Sequence, residues 1–269
     1  MGDRIGDATQ REVPILIDDT GGVRRITFNR PDVHNVLSSR CYRLLGEALD
    51  AAAEDPNVAC LLVSGAGRAF TAGLDLSDDE LPAEAQWELY EAFIERLESC
   101  PKPLVAAVNG VAIGIGATML GHFDLVFAAR SARFRLPFVS LGLAPEAGST
   151  LTLPATMGAQ MTAHALFTAS WISAEEAAGR GLVWQLTEDE DLLEIAGNEC
   201  AEIARMPVAS LVATKELLVA ARLDAVRAAR KREEAEFRRL QAGPDHAEAL
   251  AAFAQGREPQ FKTANRGGA

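Results

Sequence analysis

The stretch Gly65-Ala66-Gly67-Arg68-Ala69-Phe70-Thr71-Ala72-Gly73-Leu74-Asp75 decides how this chain folds. Its glycines permit positive φ and close backbone approach. Directly before it, residues 58–64 are apolar almost throughout, the pattern of a strand covered on both faces. A second stretch repeats the plan. Residues 104–109 read as another buried strand and lead into Gly110-Val111-Ala112-Ile113-Gly114-Ile115-Gly116-Ala117, a loop opening a short apolar helix. A turn that enters a helix leaves N–H groups unpaired and can hold negative charge. Two such turns can aim two N–H groups at one oxygen, which makes an oxyanion hole. Each turn alone also reads as an ordinary tight turn. Neither spells the nucleotide patterns GxGxxG or GxxxxGK followed by Ser or Thr.

Working outward, residues 13–18 and 23–29 are β-rich runs joined by Thr20-Gly21-Gly22, a hairpin signal. Ser38 or Ser39 caps a helix running to about Glu54, with Leu44, Leu45, Ala48 and Leu49 on one face. Residues 84–99 form an amphipathic helix, and residues 125–129 a third strand. Strand, helix, strand, helix in this order implies right-handed parallel crossovers. From about residue 158 the pattern is mostly helical, with a capping box at Ser173-Ala174-Glu175-Glu176 and a late strand at 182–186. Helices follow near 190–205, 208–222, 224–241 and 246–255. Residues 1–12 read as a disordered lead. The expected organisation is one α/β core over residues 1–200 and a helical C-terminal part over 201–269.

The chain has 269 residues, 48% of them hydrophobic, enough for one large domain. A net charge of −12 argues against nucleic acid or an anionic membrane as partner. Cys41, Cys60, Cys100 and Cys200 show no CxxC spacing and no His neighbour, so free thiols are expected and no metal site. Neither a signal-peptide core nor an apolar run of membrane-spanning length is present, and the expected location is the cytoplasm.

One acid stands apart. Between Arg135 and Glu175 the only formally charged side chain is Glu146, in Gly142-Leu143-Ala144-Pro145-Glu146-Ala147-Gly148-Ser149-Thr150. A lone Glu is most commonly an exposed loop acid. If it is buried instead, its pKa rises and it becomes a stronger base.

Three stretches together resemble the crotonase (enoyl-CoA hydratase/isomerase) superfamily: Asn29-Arg30-Pro31 with Asn35, the 65–75 stretch, and Lys102-Pro103 through Ala106-Ala107-Val108-Asn109-Gly110. Order and spacing match from about Val13 to Phe261. The resemblance implies an α/β fold, a spiral of ββα units with a C-terminal helical oligomerisation part, assembled as a homotrimer or hexamer. It implies a coenzyme A thioester as substrate and no cofactor. The thioester oxygen would sit between the backbone N–H groups of Leu74 and Ile115. Ala72, Gly73, Asp75 and Gly114 would shape the substrate site, and Lys262, in Gln260-Phe261-Lys262, would approach the coenzyme A of a neighbouring subunit. His34 occupies a position that is often basic in the family.

The reaction turns on which acids are present. The resemblance places the two hydratase glutamates at Thr118 and Phe138, so both are absent. Pro145-Glu146 resembles the segment of the Δ3,Δ2-enoyl-CoA isomerases whose Glu is the base. Isomerisation needs one acid/base, whereas hydration needs water activated and a proton delivered. The expectation is therefore an enoyl-CoA isomerase with Glu146, Leu74 and Ile115 in the catalytic roles. The alternatives are an enoyl-CoA hydratase, a dehalogenase-like crotonase reaction, and a non-catalytic acyl-CoA-binding homologue.

The remaining polar residues have structural readings. Asp75 reads as a capping acid, and Asp78-Asp79-Glu80 as a solvated loop. Asp124 anchors backbone at a strand start, and His122 and His164 pack or face solvent. The basic run Arg227 to Arg239, interleaved with Glu233, Glu234 and Glu236, reads as a solvated helix face. Trp87 and Tyr90 line an acyl pocket or, more simply, pack in the core.

Overall fold

Period-two alternation sets the architecture. Cys60 and Leu62 face one way from their strand and Leu61 and Val63 the other, and all four are buried. Val105 and Ala107 alternate with Leu104, Ala106 and Val108 in the same manner. A sheet apolar on both faces needs cover on both sides. The structure, a computed structural model, describes residues 13–261, so the N-terminal lead and Lys262 lie outside it.

Strands β1 (Ile15–Thr20) and β2 (Val23–Phe28) form the antiparallel hairpin that opens the large sheet. Beside β2 the large sheet continues with the strands Cys60–Gly65, Leu104–Val108, Leu125–Ala129 and Gln185–Thr187, in that order and parallel from β2 onward. From β3 (Cys60–Gly65) the chain steps out to β4 (Ala69–Thr71) of a second sheet and returns through helix α2 (Ala83–Glu98). It repeats the circuit through β5 (Leu104–Val108), β6 (Val111–Ile113) and α3 (Ile115–Thr118), then through β7 (Leu125–Ala129) and β8 (Arg133–Arg135). Each turn adds one long buried strand to the large sheet and one short strand to the small one, ordered β4-β6-β8-β9. This is the expected crotonase-type spiral of ββα units. Helix α1 (Ser39–Glu54) follows the hairpin, and β9 (Trp171–Ser173) closes the small sheet.

The C-terminal half adds α4 (Ser149–Met157), α5 (Ala159–Thr168), α6 (Ala174–Arg180), strand β10 (Gln185–Thr187), α7 (Leu192–Ala204), α8 (Val208–Ala220), α9 (Leu223–Gln241) and α10 (Pro244–Ala254). Leu192, Ala196 and Cys200 of α7 cover one face of the large sheet, against Cys60, Leu62, Val105, Ala107 and Phe127. Helices α1 and α2 and the small sheet cover the other. Each large side chain fully removed from water there, Phe28, Phe70 and Phe134 among them, contributes about 1.5–3 kcal/mol.

Several expectations change. The late strand is Gln185–Thr187, not residues 182–186, because Leu182 and Val183 turn into the core before pairing with β7 begins at Gln185. Helical structure begins at Ser149 rather than near residue 158. The loop acid Asp78 is not merely solvated. Its Oδ2 accepts from Ser39 N–H at 2.6 Å and from Ser39 Oγ at 2.5 Å, while the N-cap Ser38 makes no capping bond with its side chain. Asp78 thus caps α1 from another loop. The Arg227–Arg239 run is not a wholly solvated face, since Val226, Ala229, Glu233 and Phe237 of α9 are buried.

Other readings hold. Asp124 accepts from Leu104 N–H at 2.8 Å and pairs with Lys215 at 2.6 Å. The capping box at Ser173 is formed. All four cysteines are buried free thiols. Among the described residues no helix is long and apolar enough to cross a membrane.

Candidate active site

Two backbone turns meet at the C-terminal ends of β4 and β6. Gly73 has φ 95°, and a Cβ there would lie 2.7 Å from the Ile113 carbonyl oxygen. A Cβ on Gly116 would lie 2.8 Å from the Thr71 carbonyl oxygen. Glycine at both positions lets the turns lie backbone against backbone. Leu37 donates to Gly73 O at 2.7 Å and accepts from Asp75 N–H at 3.0 Å. In such a parallel bridge the N–H of the intervening Leu74 points away from Leu37. Ile115 is the first residue of α3, where N–H groups have no intrahelical acceptor.

The flanking residues are held internally. Ala72 N–H donates to His34 O at 2.9 Å, Gly73 N–H to Thr71 Oγ1 at 3.1 Å and Gly114 N–H to Arg135 O at 3.0 Å. Asp75 pairs with Arg30 at 2.7 Å and accepts from Ser77 Oγ at 2.6 Å. Burial pushes its carboxyl up, but the Ser77 and Arg30 hydrogen bonds outweigh that and hold it below the usual range. The N–H groups of Ala72, Gly73 and Gly114 and the carboxyl of Asp75 are therefore engaged within the fold.

Glu146 is buried, with 6% of its surface exposed, so it is not the exposed loop acid a lone Glu most often is. Thr118 Oγ1 donates to its Oε1 at 2.6 Å, and the Tyr90 hydroxyl donates to its Oε2. Burial pushes the carboxyl up to about 7. The two hydroxyls pull it down, and the charges of Glu233 and Glu91 push it up again. Thr118 lies three residues after Ile115 on α3, so one helical turn carries both an oxyanion candidate and a donor to Glu146.

Two further groups, His122 and Glu233, fix the turn that carries Glu146. Ala147 adopts φ 60°, uncommon for a residue with a Cβ. His122 Nε2 lies 2.7 Å from its carbonyl oxygen. Burial lowers the His122 pKa to about 4, so the ring is neutral, and bonding a carbonyl assigns the proton to Nε2. On the far side, Glu233 of α9 accepts from Gly148 N–H at 2.6 Å, from Thr150 N–H at 2.8 Å and from the Thr150 hydroxyl. It thereby caps the N-terminus of α4.

Tyr90 does more than pack. Its ring lies 5.1 Å from that of Trp87 and 5.7 Å from that of Tyr42, inside an aromatic cluster extending to Phe93 and Phe237. The sequence signal was the apolar stripe Tyr90, Phe93, Ile94, Leu97 along α2, which places the ring inside but says nothing of its hydroxyl. Glu233 carries no sequence signal, being one acid among many charges. Phe138, at the position of the second missing acid, is buried. His164 is exposed. A separate concavity of about 280 Å³, lined by Leu120, Asp124, Thr156, Leu182 and Trp184, contains none of the candidate catalytic residues.

The fold and this site define an acyl-thioester enzyme of crotonase type. The family described as "Enoyl-CoA hydratase/isomerase" matches residues 18–264, and the chain belongs to it. It is 35% identical to 1,2-epoxyphenylacetyl-CoA isomerase of Escherichia coli (strain K12) over 89% of this chain and 95% of that one. It is 37% identical to a probable enoyl-CoA hydratase of Rhodobacter capsulatus over 89% of this chain and 94% of that one. A crystal structure of an enoyl-CoA hydratase/isomerase from Pseudoalteromonas atlantica superposes with TM-score 0.87 at 34% identity, covering 92% of this chain and 99% of the other.

Proposed function

We propose that this protein moves the double bond of a 3-enoyl-CoA into conjugation, giving the 2-enoyl-CoA, with Glu146 as the single acid/base. The carrying observation is the buried Glu146 carboxylate, held by two hydroxyl donors, with its pKa raised to about 7. The two acids whose charges act on Glu146 are engaged elsewhere: Glu91 lies 3.3 Å from Arg230, and Glu233 caps α4. The relatives' names divide between isomerases and hydratases, and the residues at 118 and 138 favour the former.

In this reading the ionised Glu146 takes the proton on C2, breaking that C–H bond. The electron pair passes through C2 and the carbonyl to the thioester oxygen, giving a dienolate. The N–H groups of Leu74 and Ile115 receive the oxyanion, each such donor contributing about 2.7–4 kcal/mol. Protonated Glu146 then delivers the proton to C4, the C2–C3 double bond forms, and the carboxylate is regenerated. No proton is gained or lost overall, and no cofactor is required. The same reading carries a homotrimer or hexamer. Exposed Phe167, Leu217 and Phe253 support it, and sedimentation analysis tests it.

The test supplies 3-enoyl-CoA and 2-enoyl-CoA separately. The expected result is conversion of the first, little hydration of the second, and loss of activity in Glu146→Gln. Rapid hydration of 2-enoyl-CoA would replace isomerase by hydratase. Binding of both esters without turnover would leave an acyl-CoA-binding protein.

A further inference from the structure

We propose that Tyr90 is a positioning residue for Glu146: its hydroxyl fixes Oε2 and favours the ionised carboxylate, so that the base is armed before substrate arrives. The proposal rests on the reading of Glu146 as the base and adds the group that sets its readiness.

The geometry carries it. Glu146 is buried, with 6% of its surface exposed, so solvent does little to stabilise its charge. Its two oxygens are divided between two hydroxyls from different helices, Thr118 of α3 and Tyr90 of α2. Tyr90 is itself locked by rings on both sides, Trp87 and Tyr42. A rigid aromatic carrying one hydroxyl aimed at a carboxylate preorganises it more firmly than a flexible side chain can.

The charged and titratable groups around Glu146 come from every packed element. Glu91 and Tyr90 lie on α2, Tyr42 on α1, Glu233 and Arg230 on α9, and His122 in the turn after α3. Burial and the Glu146 charge push the Tyr42 and Tyr90 phenols well above their ordinary value, so both stay neutral. His122 is neutral as well. Two acids, Glu91 and Glu233, oppose ionisation of Glu146. The Tyr90 and Thr118 hydroxyls are therefore the direct contacts that offset burial.

The experiment changes the donor strength of one hydroxyl without changing its shape. The chain has two tyrosines, so in a Tyr42→Phe background fluorotyrosine labels position 90 alone. Fluorotyrosine is a stronger donor and should move the acid limb of kcat/KM to lower pH. Tyr90→Phe keeps the ring stack and should move it up by about one pH unit, a tenfold change in proton affinity. The 13C carboxyl resonance of Glu146 should titrate with the same two shifts, which reads the effect without turnover. A merely structural tyrosine moves neither. Unshifted titrations in both variants, with Glu146→Gln inactive, would overturn this proposal and leave the isomerase reading standing. Full activity in Glu146→Gln sinks the isomerase reading, while the carboxyl titration still decides whether Tyr90 governs Glu146.

Discussion

Glu146 and Glu233 are the same residue type, buried almost equally at 6% and 5% exposure, and they flank a single turn. Their partners differ. Glu233 accepts from two backbone N–H groups and a hydroxyl at the start of α4, where the aligned peptide dipoles favour negative charge. Glu146 has two hydroxyls and no backbone donor among its bonds, and its pKa is raised to about 7. Equal burial therefore comes with different hydrogen-bond partners. The number and kind of donors separate a carboxylate that caps a helix from the one proposed above to transfer a proton.

The largest expected effect separates the two roles. Glu146→Gln should lower isomerase turnover by roughly 10²–10⁴-fold while leaving the fold intact by circular dichroism. Glu233→Ala should do the reverse in emphasis. It strands the buried Gly148 N–H at a helix start, an orphaned donor costing about 1–3 kcal/mol, and also removes the acceptor of the more exposed Thr150 N–H. Denaturant unfolding measures that loss. If Glu233→Ala unfolds like wild type and Glu146→Gln is the unstable one, the assignment of roles is inverted.

A pH series sharpens the contrast. The folded pKa of Glu146, about 7, lies above the ordinary value of 4.5, so the folded state binds more protons between those limits. For this group stability is greatest below about pH 4.5, falls as pH rises, and levels off above about pH 7. Glu146→Gln removes that penalty. Its stability relative to wild type should grow from pH 5 to pH 8, by up to about 3 kcal/mol. Urea midpoints at the two pH values provide the check. A constant difference would show that Glu146 does not titrate in this window.

The fold was legible in sequence where strands were long and alternating, as at β2, β3, β5 and β7. The small sheet was not, because β4, β6, β8 and β9 have three residues each, too few to show a period. Glu146 was legible because it stood alone in an apolar stretch. Glu233 was not, because its charged neighbours on α9 hide the one face that turns inward. Tyr90 fell between the two: its burial follows from the stripe along α2, but the direction of a hydroxyl depends on tertiary packing. The capping acids were invisible for the same reason, since Asp78 and Glu233 act on helices far away in the chain.

The smallest effect extends the comparison to that second remote cap. Ser38 stands at the N-cap of α1 with the residue type the position prefers, yet it makes no capping bond. Asp78 receives both the N–H and the hydroxyl of Ser39. Ser38→Ala should therefore change stability by only a few tenths of a kcal/mol, whereas Asp78→Ala should cost about 1 kcal/mol. Thermal midpoints of the two variants test it. A larger loss at Ser38 would return the cap to the local residue. The expected order, with Asp78 above Ser38 and both below Glu233, follows from the bonds each substitution removes: none from the Ser38 side chain to the helix start, the Ser39 N–H and hydroxyl at Asp78, and two N–H groups and a hydroxyl at Glu233.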